Sequence, residues 1–202
     1  ARAVPRETIA DYWKSNLFQL MKPAKFGGPE VRVDDTFAVA GELARGDGSA
    51  AWVWTVMGVH DLFVALFPER AQKEYWSKPQ VLSASSFAPS GKATPANGGF
   101  MLSGKWSFCS GVDHADWIVL GAIFCMLSKE PPIPDFRFCL VPMSDIKEVI
   151  DDWHVMGLCG TGSKSVVVEN VFSRLAHNKD APRARLIYDA VMEVGTPVIF
   201  GI

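Results

Sequence analysis

Residues Lys105 to Trp117 read KWSFCSGVDHADW, and this stretch decides how the rest of the chain is parsed. Just upstream, over 99–108, Phe100, Leu102, Trp106 and Phe108 fall on one side. Met101, Ser103, Lys105 and Ser107 fall on the other. That two-residue period predicts a half-buried strand. The strand runs into Cys109-Ser110-Gly111, and Asp113, His114 and Asp116 crowd in before Trp117. A strand end with small hydroxyl and thiol side chains beside indole rings can seat a flat ring: polar groups meet its edge and aromatics keep water out. The same residues also fit an ordinary turn whose Asp and His bond backbone groups, and composition alone favours that plainer reading.

Outward from this segment the period stays at two on the C-terminal side of Pro79 and becomes helical on the N-terminal side. Strands are expected at 81–87, 99–108, 117–124, 136–142 and 165–172, with Asn97-Gly98-Gly99 and Pro131-Pro132 as turns. Before them, Ile9, Tyr12, Trp13, Leu17, Leu20 and Met21 recur at helical spacing over Arg6–Met21. Asp34 and Asp35 are candidate caps for a second helix with Phe37, Ala40, Leu43 and Ala44 on one face. Ser49 is a candidate cap for a third, Ala50 to Leu66, apolar nearly all round and therefore buried. Pro68 opens a short fourth helix. The expectation is an α+β chain: a helical domain over 1–79, an antiparallel β-barrel or sandwich domain over 80–173, and the start of a C-terminal helical domain over 174–202. The final GTPVIFGI has no polar finish, as in a fragment of a longer protein.

Composition narrows the function classes. Lys and Arg number 20 against 22 Asp and Glu, with no basic block, so nucleic acid and anionic membranes are not expected partners. The apolar run at 117–127 is too short to span a bilayer. Cys109, Cys125, Cys139 and Cys159 lie far apart, with no zinc spacing, which reads as reduced thiols in a cytoplasmic protein without a metal centre. No phosphate loop, dinucleotide fingerprint or nucleophile elbow is present.

Three segments carry a resemblance: SASSFAPSGKA (83–93), GGFMLSGKWSFCSGVDHADWIVLGA (98–122) and DDWHVMGLCGTGSKSVVVENVF (151–172). Together with GSAAWVWTVMGVHDLFVALFPERAQ (48–72), they resemble the oxygenase components of two-component flavin-dependent monooxygenases. These have the acyl-CoA dehydrogenase-like fold, as in p-hydroxyphenylacetate hydroxylase, secosteroid hydroxylase and indole-3-acetate monooxygenase. Acyl-CoA dehydrogenases proper lack the Ser-Gly-x-Asp-His-Ala-x-Trp run found at 110–117. The resemblance implies reduced flavin (FADH2 or FMNH2) delivered by a separate NAD(P)H-dependent flavin reductase. It further implies reaction with O2 through a C4a-hydroperoxide, hydroxylation of a small phenol- or indole-type aromatic, and a homotetramer. The alternative is an acyl-CoA dehydrogenase with tightly bound FAD.

The resemblance also implies site residues. It sets Ser85 and Ser86 beside the flavin N5 and C4a edge, and Trp106, Phe108, Cys109 and Ser110 along the ring. Cys109 stands where serine is usual, so Ser110 is the better hydrogen-bonding candidate. His60, by its residue type and apolar helix, reads as a core histidine bonded to a carbonyl. The resemblance instead has it facing the substrate ring, where it orients a hydroxyl or N–H. Trp52, eight residues earlier, either walls the same pocket or is core. Gly160-Thr161-Gly162-Ser163 is a plain β-turn or a small polar cradle, and the resemblance puts Thr161 and Ser163 near the flavin. His60, Ser85 and Ser110 are the expected catalytic set.

Overall fold

The computed structural model describes residues 2–97, 99–124 and 135–173; the turn at Pro131-Pro132 and the region 174–202 lie outside them. The first helix, α1 (Arg6–Lys14), is shorter than the apolar spacing predicts. Asn16 takes a left-handed conformation (φ 57°) and breaks it, so Leu17–Gln19 continues only as a 3-10 turn. Asparagine tolerates that region better than most residues, which is why the periodic pattern runs on while the helix does not.

Helix α2 (Val33–Gly46) starts after Arg32, and Asp34 and Asp35 lie inside its first turn instead of capping it. There they complement the positive helix end. Its inner face is Thr36, Val39, Ala40 and Leu43; Phe37 and Ala44 point outward, against the expected grouping. Helix α3 (Gly48–Val64) is buried along most of its length. Its cap is Asp47, whose carboxylate accepts from the Ala50 N–H at 2.7 Å, not Ser49. Asp47→Ala is expected to cost about 1 kcal/mol, read as a lower urea midpoint at unchanged slope. Pro68 leads into α4 (Glu69–Tyr75).

Six strands follow: β1 (Ser83–Ala96), β2 (Gly99–Cys109), β3 (Trp117–Phe124), β4 (Asp135–Pro142), β5 (Glu148–Ile150) and β6 (Lys164–Ser173). They form one sheet in the order β4-β3-β1-β2-β6-β5. It is mixed, which corrects the antiparallel expectation: β1 and β3 run parallel, with Ser83 beside Trp117 and Ser86 beside Leu120. The other four pairings are antiparallel. Alternating apolar residues fix which side of a strand is buried but not which strand lies beside it, so this arrangement leaves no local signature.

The two faces of the sheet pack differently. Trp117, Val119, Phe138 and Leu140 join Val64 and Tyr75 from the helices and Phe67 from the turn between them. Ala84, Leu102, Trp106, Ile118, Leu120 and Val166 form a core drawn almost entirely from strands. Trp106 is its centrepiece: fully buried, with its indole N–H given to the Gly121 carbonyl at 2.7 Å. Its ring crosses the paired Gly91 and Gly104, where a Cβ on either would overlap it.

Beyond Trp106 the register of β2 against β6 shifts. Phe108 adopts a left-handed conformation (φ 63°) and is 71% exposed, while Cys109 turns fully inward. Phe108 therefore leaves the face it was expected to share with Leu102 and Trp106. A phenylalanine held there costs about 1–3 kcal/mol, and such strain clusters at functional sites.

Candidate functional site

Helix α3 acts as a ruler along the sheet. Most of it is buried, but Trp52, Val56 and Val59 stay partly open on one stripe. At its start, Trp52 is half-exposed and its indole N–H donates to the Ser110 hydroxyl at 3.0 Å. Ser110 lies 2.7 Å from the Ser163 hydroxyl, which lies 2.7 Å from the Thr161 hydroxyl. Thr161 in turn donates to the Leu158 carbonyl at 3.0 Å. The turn carrying Thr161 and Ser163 is bound to the end of β2 by the Gly111 N–H donating to the Thr161 carbonyl.

Eight residues further along α3, about 12 Å at the helical rise, His60 meets β1. Its Nδ1 is 2.6 Å from the Ser83 carbonyl and its Nε2 is 2.9 Å from the Ser85 hydroxyl. Burial pushes the imidazole down to about 4, against which the Ser83 contact works only in part. His60 is therefore neutral near pH 7. A carbonyl can only accept, so Nδ1 carries the proton, Nε2 is the acceptor, and Ser85 donates to it. The hydroxyl of Ser83 accepts from Tyr75 at 3.2 Å. Beside this pair, Phe87 approaches His60 (ring centroids 6.1 Å) and packs on Phe63 and Phe138.

Ser85 and Ser86 point in opposite directions, as neighbours on a strand must. Ser86 turns to the other face and donates to the Ser107 carbonyl at 2.8 Å. Trp106 and Cys109 have their side chains in the core, and burial raises the Cys109 thiol to about 12, so it stays protonated. Phe108 stands outside, its ring edge-to-face with Trp153 at 6.0 Å. Trp153 belongs to the segment before Thr161, which also exposes Met156 and Leu158. That segment is tied down by Arg2, whose guanidinium donates to the Trp153 and Val155 carbonyls. His114 and Asp116 serve the backbone: His114 bonds the Val4 carbonyl, and Asp116 accepts from the Leu82 N–H.

Next to His60, Asp61 is buried with one carboxylate oxygen 3.3 Å from the Trp76 indole nitrogen. Burial raises its pKa to about 7, against the pull of that hydrogen bond and of Lys22. A carboxyl whose folded pKa exceeds its unfolded value stabilises the fold while protonated, and this contribution is lost as pH rises from about 4 towards 7. Asp61→Asn is therefore expected to raise the melting temperature by a few degrees at pH 8 and to leave it nearly unchanged at pH 4. Thermal denaturation at the two pH values checks this. Among the described residues no cluster of His, Cys, Asp or Glu fits a metal ion, and no helix is long and apolar enough to cross a membrane.

Residues 1–83 match the acyl-CoA dehydrogenase N-terminal domain. The chain is 39% identical over 173 residues to the oxygenase component of an FADH(2)-dependent resorcinol hydroxylase from Rhizobium sp. (strain MTP-10005), covering 85% of this chain and 42% of that protein. The chain thus carries an acyl-CoA dehydrogenase N-terminal domain and, over most of its length, is homologous to oxygenase components of flavin-dependent monooxygenases. Two solved structures agree in fold with the chain. The 3-HSA hydroxylase of Rhodococcus sp. RHA1 superposes with a TM-score of 0.82 at 34% identity, over 87% of this chain and 46% of that one. XiaF from Streptomyces sp., solved with FADH2 and glycerol, gives 0.80 at 31% identity, over 88% of this chain and 45% of that one. The chain thus spans less than half the length of these proteins.

Sequence reasoning missed Ser83, Phe87 and Trp153. For the first two a signal existed: Ser83, Ser85 and Phe87 alternate onto one face of β1, so placing Ser85 against the third helix places the others there as well. Ser83 acts through its main-chain carbonyl, which residue type does not reveal. Trp153 had none, because its contact with Phe108 depends on the shift of register in β2.

Proposed function

We propose that the protein is the oxygenase component of a two-component flavin-dependent monooxygenase, hydroxylating a small phenol- or indole-type aromatic with reduced flavin (FADH2 or FMNH2) and O2. The observation that carries this is the spacing of two part-buried hydroxyl contacts, Trp52–Ser110 and His60–Ser85, along α3. The first suits the polar edge of a flavin, the second a substrate held alongside. Phe108, Trp153 and Trp52 fit a planar ring: Trp52 bonds Ser110, Phe108 lies two residues before it, and Trp153 meets Phe108 edge-to-face, each with aromatic surface left uncovered. Thr161 and Ser163 support Ser110 from below, and the backbone around Trp106, Phe108 and Cys109 is the ledge.

When bound, the reduced flavin supplies oxygen activated for insertion into an electron-rich ring. The residues of the chain do the rest. Ser85, which donates to His60, keeps lone pairs that accept from a substrate hydroxyl or N–H. The neutral Nε2 of His60 can then take a proton passed through Ser85, which leaves the ring more electron-rich. Phe63, Phe87 and Phe138 give the substrate body an apolar wall and exclude water.

The same proposal includes a separate NAD(P)H-dependent flavin reductase, a homotetramer and a cytoplasmic location, consistent with the free thiols of Cys109, Cys139 and Cys159. It includes the division into a helical domain (1–79), a β domain (80–173) and a C-terminal helical domain opening at 174. The test mixes the intact protein and reduced flavin with 18O2 and phenol-type substrates. Hydroxylated product carrying one 18O is expected. Immediate return of oxidised flavin with equimolar peroxide and unlabelled substrate overturns the proposal; bound FAD with activity on acyl thioesters supports the dehydrogenase alternative.

A further inference from the structure

The three hydroxyls beneath Trp52 form a chain with only one possible direction. Ser110 to Ser163, Ser163 to Thr161, and Thr161 to the Leu158 carbonyl are three oxygen–oxygen contacts of 2.7, 2.7 and 3.0 Å. Each needs a proton between its oxygens, and the three hydroxyls have one apiece. The terminal carbonyl has none, so Thr161 donates to Leu158, Ser163 to Thr161, and Ser110 to Ser163. All three side chains are buried, so bulk water does not compete for these bonds. The Trp52 indole can only donate, and it uses one lone pair of Ser110. Ser110 is left with one free lone pair and no free proton.

That remaining valence distinguishes the two redox states of a flavin. The reduced ring carries a hydrogen on N5, which can donate; the oxidised ring carries a lone pair there. We propose that Ser163 and Thr161 are positioning residues that commit Ser110 to accepting, and that they thereby set a preference for reduced over oxidised flavin. This rests on the reading that Ser110 lies at the flavin. Neither residue touches the ring; both act by holding the Ser110 proton away from it, so that an oxidised N5 would meet Ser110 lone pair to lone pair.

The experiment measures dissociation constants of the intact protein for oxidised flavin, by fluorescence, and for reduced flavin, anaerobically, with no turnover. Wild type is expected to bind the reduced form more tightly. In Ser163→Ala the Ser110 proton loses its acceptor and can turn outward, so the ratio of the oxidised to the reduced constant is expected to fall about tenfold, chiefly through tighter binding of the oxidised form. Ser163→Thr keeps a hydroxyl and is expected to restore the ratio. A parallel weakening of both forms, or a ratio within about twofold of wild type in Ser163→Ala, overturns the inference while leaving the monooxygenase reading in place. Failure of the wild type to bind flavin in either state overturns that reading itself.

Discussion

His60→Ala is expected to lower kcat/KM for hydroxylation by about 10²–10⁴-fold while leaving reduced-flavin affinity within about twofold. The ring nitrogens of His60 bridge the Ser83 carbonyl and the Ser85 hydroxyl, so its loss removes the proton acceptor and frees Ser85 to rotate. The Trp52–Ser110 contact, proposed to meet the flavin, lies about 12 Å along the helix and is untouched. Steady-state kinetics over a pH series, with flavin titration alongside, checks the split. Because burial holds the imidazole near 4, the wild-type rate should show no His60 titration between pH 6 and 8. A rate that falls as pH drops through 6.5 would place an ordinary, solvated histidine here. An equal fall in flavin affinity would mean that His60 is only a core residue.

The second large effect concerns stability. Gly91→Val is expected to lower the melting temperature by about 10 °C or more, or to yield no soluble protein. The new side chain would enter space held by the Trp106 ring, and that ring is fixed by its bond to the Gly121 carbonyl. Retreat towards β2 is closed as well, since Gly104 lies directly across and is packed against the same ring. Combining Gly91→Val with Trp106→Leu should recover part of the loss, because the second change vacates the volume the first one needs. A single variant as stable as wild type would mean that Trp106 does not lie over the glycine pair.

How far the sequence could be read follows from what each element depends on. Strands β2, β3, β4 and β6 and the first part of β1 were legible because the pattern of apolar residues is local. The continuation of β1 past Phe87 to Ala96, through Pro89 and Gly91, was not, and β5, at three residues, is too short to show a period. The parallel pairing of β1 with β3, and the outward turn of Phe108, depend on residues far apart in the chain. The third helix was legible, but its cap was misplaced by two residues: Asp47, not the expected Ser49, accepts from the Ala50 N–H. At the site, His60 is a polar residue in an apolar helix and so attracts notice, whereas Ser85 and Ser110 stand among other small polar residues and came forward only through the resemblance. What each one bonds was hidden, because the decisive acceptors, the carbonyls of Ser83 and Leu158, are main-chain atoms.

The parallel pair also sets an order of assembly. Strands β1 and β2 are neighbours in sequence, with Ala96 beside Gly99, so they can zip together within microseconds. Strand β3 cannot dock on β1 until the chain has passed through β2 and the turn after Cys109, a larger loop with a larger closure entropy. Until then the free edge of β1, which bears Ser83, Ser85 and Ser86, is an unpaired template open to other chains. Because Ser83, Ser85 and Ser86 make that edge polar where an apolar one would hold other chains, it is a poor adhesive while the molecule is still being made.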